Sequence, residues 1–145
     1  MNDAVKPPVA FWIVGGLSLV WNLFGAVDYV MTQTKNAAYL AQFTPEQRAY
    51  FDSFPMFMEG AWALGIWGAV AGSLLLLARS RHAVLAFGTS LLGLLVSTIW
   101  QFGLSGADVA RIFGGGPMIM TAFIWAAAIA LFAYARKQHT KGILR

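Results

Sequence analysis

Four stretches without a charged side chain dominate this sequence: 9–27, 60–78, 83–107 and 112–135, each 19 to 25 residues long. A helix needs about 20 residues to cross roughly 30 Å of hydrocarbon. One such run is compatible with a buried helix in a large soluble protein. Four in 145 residues leave no chain to cover them. Extending each run to its nearest breaker predicts spans at about 9–31, 55–78, 83–104 and 117–135. Prolines stand at the starts, Pro7-Pro8, Pro55 and Pro117, where a first helical turn has no use for the missing N–H. The fold class expected is all-α, a four-helix transmembrane bundle forming one domain.

The connecting segments carry their own pattern. Residues 32–54 form the longest. Within them Thr44-Pro45-Glu46-Gln47 reads as a helix start, with Thr44 as N-cap, Pro45 in the first position and an acid in the first turn. Ala37–Phe43 is a short apolar patch, and Tyr50, Phe51 and Phe54 follow. This predicts a short amphipathic helical segment in the first outer loop, docked on the bundle or the membrane. Arg79–His82 is a turn tight enough to make spans two and three an antiparallel hairpin. Residues 103–116 are a glycine-rich connection in which Ser105–Asp108 begin a short helical turn. The basic tail 136–145 reads as frayed.

Charge then sets orientation. Of the ten Lys and Arg, seven (Lys6, Arg79, Arg81, Arg136, Lys137, Lys141, Arg145) fall on one side and three (Lys35, Arg48, Arg111) on the other. Positive-inside bias places both termini in the cytoplasm. Asp3 shares that side, while Asp28, Glu46, Asp52, Glu59 and Asp108 belong to the outer half. The net charge of +4 therefore serves topology, and no basic groove or recognition helix points to nucleic acid. Residues 1–8 lack the character of a cleaved signal, so the first span is expected to stay as an anchor.

Small residues recur every four positions in two spans. Span two has Ala61, Gly65 and Ala69 beside the pair Gly68/Gly72; span four has Ala122, Ala126 and Ala130. Lipid supplies no hydrophobic drive between helices, so close backbone approach must hold them together. The faces fit packing within one bundle; they also fit a homodimer through Gly68/Gly72 or through Ala122/Ala126/Ala130.

Candidate chemistry lies in the outer third. Asp28 is ~28 Å along its helix from Val9, near the outer interface, and Glu59 sits at a similar depth on the next span. Two arrangements fit: carboxylates facing a shared interior, where one would shift the other's titration, or both solvated among headgroups. Gln101 and Thr121 bring one polar group each from spans three and four to the same level. Tyr29, Trp62 and Trp100 add aromatic walls. Together these seven residues predict a ligand-binding cavity open to the outer side, with a hydrogen-bonded network under an aromatic belt as the plainer arrangement. Asn22 lies deeper and is expected, with Ser90 or Ser97, to bridge helices structurally. Trp67 and Trp125 fall near mid-span, where an indole N–H wants a partner.

Known catalytic patterns are missing. There is no cysteine, no nucleophile–base constellation and no dinucleotide or phosphate loop. Gly114-Gly115-Gly116 lacks the Lys and Ser/Thr of the latter. His82 and His139 sit in basic segments and do not read as metal ligands. No catalytic residue, metal site or cofactor is assigned on these grounds.

The stretches WNLFGAVDY in span one and TPEQRAYFDSFP before span two, with the Trp-rich span two carrying Glu59, resemble a group of small four-span bacterial inner-membrane proteins often labelled sugar transporters. The layout is more loosely similar to DoxX-like four-span proteins. The resemblance implies a bacterial inner-membrane location and a transport-related role. Four spans are few for an alternating-access path, so transport would require an oligomer. A structural or accessory subunit of a membrane complex is the competing expectation.

Overall fold

The computed structural model describes residues 5–145; Asp3, assigned by charge to the cytoplasmic side, lies outside them. In chain order the helices are α1 (Val9–Gln33), α2 (Ala37–Leu40), α3 (Pro45–Asp52), α4 (Met56–Leu77), α5 (His82–Thr98, continued by a π-helical turn Ile99–Leu104), α6 (Gly106–Phe113) and α7 (Gly116–Thr140). Among the described residues there is no strand. The helices α1, α4, α7 and α5 with its π turn are each long and apolar enough to cross a membrane. The chain is thus an all-α, multi-pass membrane protein. The 32–54 and 103–116 connections both meet at one end of the bundle, called here the loop end. The opposite, terminal end holds the α4–α5 turn and the C-terminal tail.

Local sequence explains the boundaries. Pro8 and Pro55 occupy the N-cap positions of α1 and α4, and Pro117 lies in the first turn of α7. At Thr44 the expected capping box forms: Thr44 Oγ1 accepts from the Gln47 N–H at 3.2 Å, and Gln47 Oε1 accepts from the Thr44 N–H at 3.1 Å. α4 stops where Arg79 turns to φ +58, which lets the Ser80 N–H reach back to Leu75 O at 2.8 Å. A non-glycine residue in that region costs about 1–2 kcal/mol, so something must hold Arg79 there.

Packing runs in sequence around the bundle: α1 on α4, α4 on α5, α5 on α7. The α4–α5 contact is the tightest. A Cβ on Gly93 would lie 2.5 Å from Ala61 O and Gly65 N, and one on Gly68 would lie 3.0 Å from Ser90 N. The Ser90 hydroxyl donates to Gly65 O at 2.6 Å across this seam. Gly72 faces the Phe87 ring. The Gly68/Gly72 face is therefore packed against α5 within the chain. Ala122, Ala126 and Ala130 of α7 are all exposed.

α1 is joined to α4 by a buried polar bridge. The Asn22 amide donates to Ser73 Oγ at 2.9 Å and to Ala69 O at 3.2 Å, and the Ser18 hydroxyl donates to Ser73 Oγ at 3.0 Å. The inter-helix role expected for Asn22 is filled through Ser73. Ser90 and Ser97, the partners expected from sequence, point elsewhere. The Trp125 indole donates to Thr98 Oγ1 at 3.0 Å, linking α7 to α5.

The apolar core sits at the terminal end, built from Phe11, Leu76, Ala83, Phe87, Ala135, Ile143 and Leu144. Here the expectation of a frayed tail is overturned. Gly142, at φ +73, turns the chain after α7, so that the Ile143 N–H reaches Gln138 O at 3.0 Å. Ile143 and Leu144 then insert into the core. Arg145 pairs its backbone with the α4–α5 turn: its N–H donates to Arg79 O (2.8 Å) and its carbonyl accepts from Arg81 N–H (2.9 Å). The Arg79 guanidinium completes the clamp, donating to Ile143 O at 3.2 Å and Val5 O at 2.9 Å. Apolar residues at the end of a basic run are a weak periodic signal, which is why the tail looked free.

α1 and α7 meet at this end, where the Phe11 and Tyr134 rings stack with centroids 6.5 Å apart. Beyond that contact the first and last long helices share no extended packing. A cavity lies between them.

Candidate functional site

The cavity measures about 520 Å³ and takes side chains from all four long helices. α1 contributes Trp21, Asn22, Gly25, Asp28 and Thr32, which share one face at helical spacing. α4 adds Met58, Trp62, Gly65, Ile66 and Ala69; α5 adds Ser90, Leu94, Ser97 and Thr98. α7 contributes Pro117, Met120, Thr121, Ile124 and Ala128. Gly25, Gly65, Ala69 and Ala128 line the wall without filling the space. The wall is mostly apolar.

Aromatic side chains close the loop end. Phe51 of α3 and Phe54, just after it, line the cavity. Phe54 packs edge-on to Trp100 (centroids 5.1 Å) and to Trp62 (6.0 Å). Tyr50 is buried behind them, against Trp100, Phe54 and Phe113, with its hydroxyl 3.1 Å from Ser105 Oγ. Burial raises the Tyr50 phenol above its ordinary value, partly offset by the Ser105 hydrogen bond. α3 is tied to α6 by the Glu46–Arg111 ion pair and by the Gln47 amide donating to Ile112 O at 3.4 Å. The Glu46 hydrogen bond, with Asp108 next, holds the Arg111 guanidinium above its ordinary value.

The π-helical turn sets two neighbouring side chains to different tasks. Its wider register is seen where the Ser105 N–H reaches Trp100 O at 3.0 Å. Trp100 joins the aromatic roof while Gln101 lines the cavity. Such turns are frequent at functional sites. The Ser97 and Thr98 hydroxyls donate to Gly93 O (2.8 Å) and Leu94 O (2.7 Å) of their own helix. Asp28, Gln101 and Thr121 bring one polar side chain each to the lining from α1, the π turn and α7.

Asp28 has one further partner. The Tyr39 hydroxyl, carried by α2, donates to Asp28 Oδ1. α2 is placed for this by Asn36, whose side chain accepts from the Tyr39 N–H at 2.9 Å. Partial burial and then the Asp28 carboxylate push the Tyr39 phenol up to about 12.

Of the residues expected at the site, Asp28, Trp62, Gln101 and Thr121 line this one cavity. Tyr29 lies beside it, edge-on to Trp62 at 4.9 Å and Trp67 at 6.1 Å. Trp100 is in the roof. Asn22 and Ser97 are also in the wall, deeper than Asp28 on their helices. Glu59 opens instead into a smaller hollow of about 190 Å³ with Lys35, Arg48 and Asp52. Thr32, Phe51 and Trp62 line both spaces and stand between them. Asp28 and Glu59 thus face different hollows. Sequence reasoning missed Tyr39 and Thr98. The Asn36 cap before the 37–43 patch was the available signal for the first, and the unpartnered mid-span Trp125 for the second. Compared with known proteins, the chain matches no family model, no curated protein and no solved structure.

Proposed function

We propose that this protein holds a small amphiphile or lipid in the cavity between α1, α4, α5 and α7, in a bacterial inner membrane with both termini cytoplasmic. The observation that carries the reading is the convergence of Asp28, Gln101 and Thr121, from three helices, on a mostly apolar space of about 520 Å³. That size and character suit a small-molecule site. The orientation rests on the Lys and Arg bias, which puts the loop end outside and makes the site outward-facing. The sugar-transport role implied by the resemblance is less well supplied, since a sugar ring needs many hydrogen-bonding groups and this wall offers few. Mass spectrometry of protein purified in mild detergent tests the reading. A bound amphiphile is expected on the wild type and lost from Thr121→Trp, which fills the space. The same molecule retained by both would refute it.

A second reading has its own observation: Ala122, Ala126 and Ala130 leave one side of α7 bare and small. A homodimer through this face, or an accessory role against another membrane helix, makes use of it, and an oligomer is what a transport role would require. The chain has no cysteine, so Ala126→Cys reports cleanly. A dimer through α7 gives a disulfide-linked pair in native membranes, and monomer after oxidation would sink it.

A further inference from the structure

Asp28 is the one ionisable side chain among the residues that line the large cavity. The ion pairs of the neighbouring loops use other groups: Lys35 with Asp52, and Arg111 with Glu46 and Asp108. Asp28 instead receives a hydrogen bond from the Tyr39 phenol. That phenol keeps its proton up to about 12, so it contributes a dipole and no countercharge. A carboxylate bordering an apolar cavity with no cation paired to it is a favourable partner for a positive charge. Trp21, Phe24, Phe54 and Trp62 line the same cavity, and the faces of such rings attract cations through their quadrupoles.

The route into the site also constrains the ligand. Trp21 and Phe24 of α1 and Met120 and Ile124 of α7 line the cavity and are at the same time exposed, Phe24 at 72%. The space therefore opens sideways between α1 and α7, onto the faces that meet lipid. Apolar substituents can pass this way without crossing water.

We infer that the cavity takes a lipophilic monocation, an ammonium or phosphonium carrying apolar groups, with its charge at Asp28 and its apolar body among the aromatic side chains. This rests on the reading of the cavity as a ligand site and adds the ligand's charge. The cation replaces the Tyr39 hydroxyl as the partner of Asp28 Oδ1, so Tyr39 competes with the ligand.

The test uses the full chain in a non-ionic detergent with three probes: tetraphenylphosphonium, its near-isosteric anion tetraphenylborate, and the neutral dye N-phenyl-1-naphthylamine. Binding is read by calorimetry and by the fluorescence of the tryptophans that line the site. Tetraphenylphosphonium is expected to bind in preference to tetraphenylborate. Its affinity should fall roughly tenfold to a hundredfold in Asp28→Asn, the span of a charge-assisted contact. Tyr39→Phe should bind it more tightly than the wild type. The neutral dye should bind wild type and Asp28→Asn within about twofold of each other, a margin too small for a lost charge contact. Asn keeps the acceptor that Tyr39 uses, so the variant is expected to fold. Should it not, the phosphonium–borate comparison on the wild type decides alone. Equal binding of both ions, or an affinity unchanged in Asp28→Asn, overturns the inference while dye binding leaves the ligand site standing. Failure of all three probes to bind the wild type overturns both.

Discussion

Gly93→Ala is the sharpest available perturbation of the bundle. A Cβ there would lie 2.5 Å from Ala61 O and Gly65 N, both backbone atoms of α4 that cannot swing aside. An acceptable carbon–oxygen approach is about 3.3–3.6 Å, so α4 and α5 must part by roughly 1 Å. Overpacking of this kind costs about 1–3 kcal/mol. Parting the helices also stretches the 2.6 Å bond from Ser90 Oγ to Gly65 O, a further loss of about 1 kcal/mol. Alanine's better helix propensity returns up to about 1 kcal/mol. The net expectation is destabilisation by about 1–3 kcal/mol. Gly16→Ala is the matched control, since nothing lies within 4 Å of its added carbon, and it should be neutral or slightly stabilising. Reversible unfolding in mixed detergent micelles, followed by circular dichroism, measures both. If Gly93→Ala proves as stable as Gly16→Ala, the close α4–α5 approach is wrong.

Further outcomes follow from the polar bridge, the clamp and the latch. Ser73→Ala removes the acceptor shared by Ser18 and Asn22 and should cost about 0.6–2 kcal/mol in the same unfolding assay; no change would show that α1 and α4 need no polar bridge. At Arg79, glycine relieves the positive φ while both glycine and alanine lose the guanidinium contacts. Arg79→Gly should therefore exceed Arg79→Ala in stability by about 1 kcal/mol, and the reverse order would refute the turn geometry. Tyr39 titrates at about 12 in the folded chain against an ordinary 10.0. The folded state thus retains a proton that the unfolded state releases first. The phenol's contribution is complete below pH 10 and is lost as pH rises toward about 12. Ultraviolet absorbance of tyrosinate, wild type against Tyr39→Phe, should show one group titrating late; a Tyr39 that ionises near 10 would remove the Asp28 latch.

The spans were legible because crossing a bilayer demands length and apolarity, and both are one-dimensional properties of a sequence. The cap at Thr44 was legible for the same reason: its partners lie three residues apart. Depth along a helix could be counted as well, which put Asp28, Gln101 and Thr121 at one level. What counting does not supply is the rotation of each helix about its axis relative to its neighbours. Glu59, counted to the same depth, faces another hollow because Trp62, Thr32 and Phe51 stand between. The π turn was hidden because nothing local marks its i to i−5 register, and the partners of Trp100 in the roof, Tyr50 and Phe54, lie about fifty positions away. The Gly68/Gly72 face could be recognised as a surface for close approach, but its partner depended on which helix arrived there.

The clamp at the terminal end has a mechanical consequence. α1 and α7 are pinned together at Phe11 and Tyr134 and run free of each other from there, so they behave as two levers with a common fulcrum. From Phe11 to Gln33 the arm of α1 is roughly 33 Å at 1.5 Å per residue. A tilt of about 5° at the fulcrum then displaces the far tip by about 3 Å, close to the width of a methylene chain. The aperture of the side opening is thus set jointly by the angle fixed at the opposite end of the molecule and by the seating of α1 on α4 and of α7 on α5.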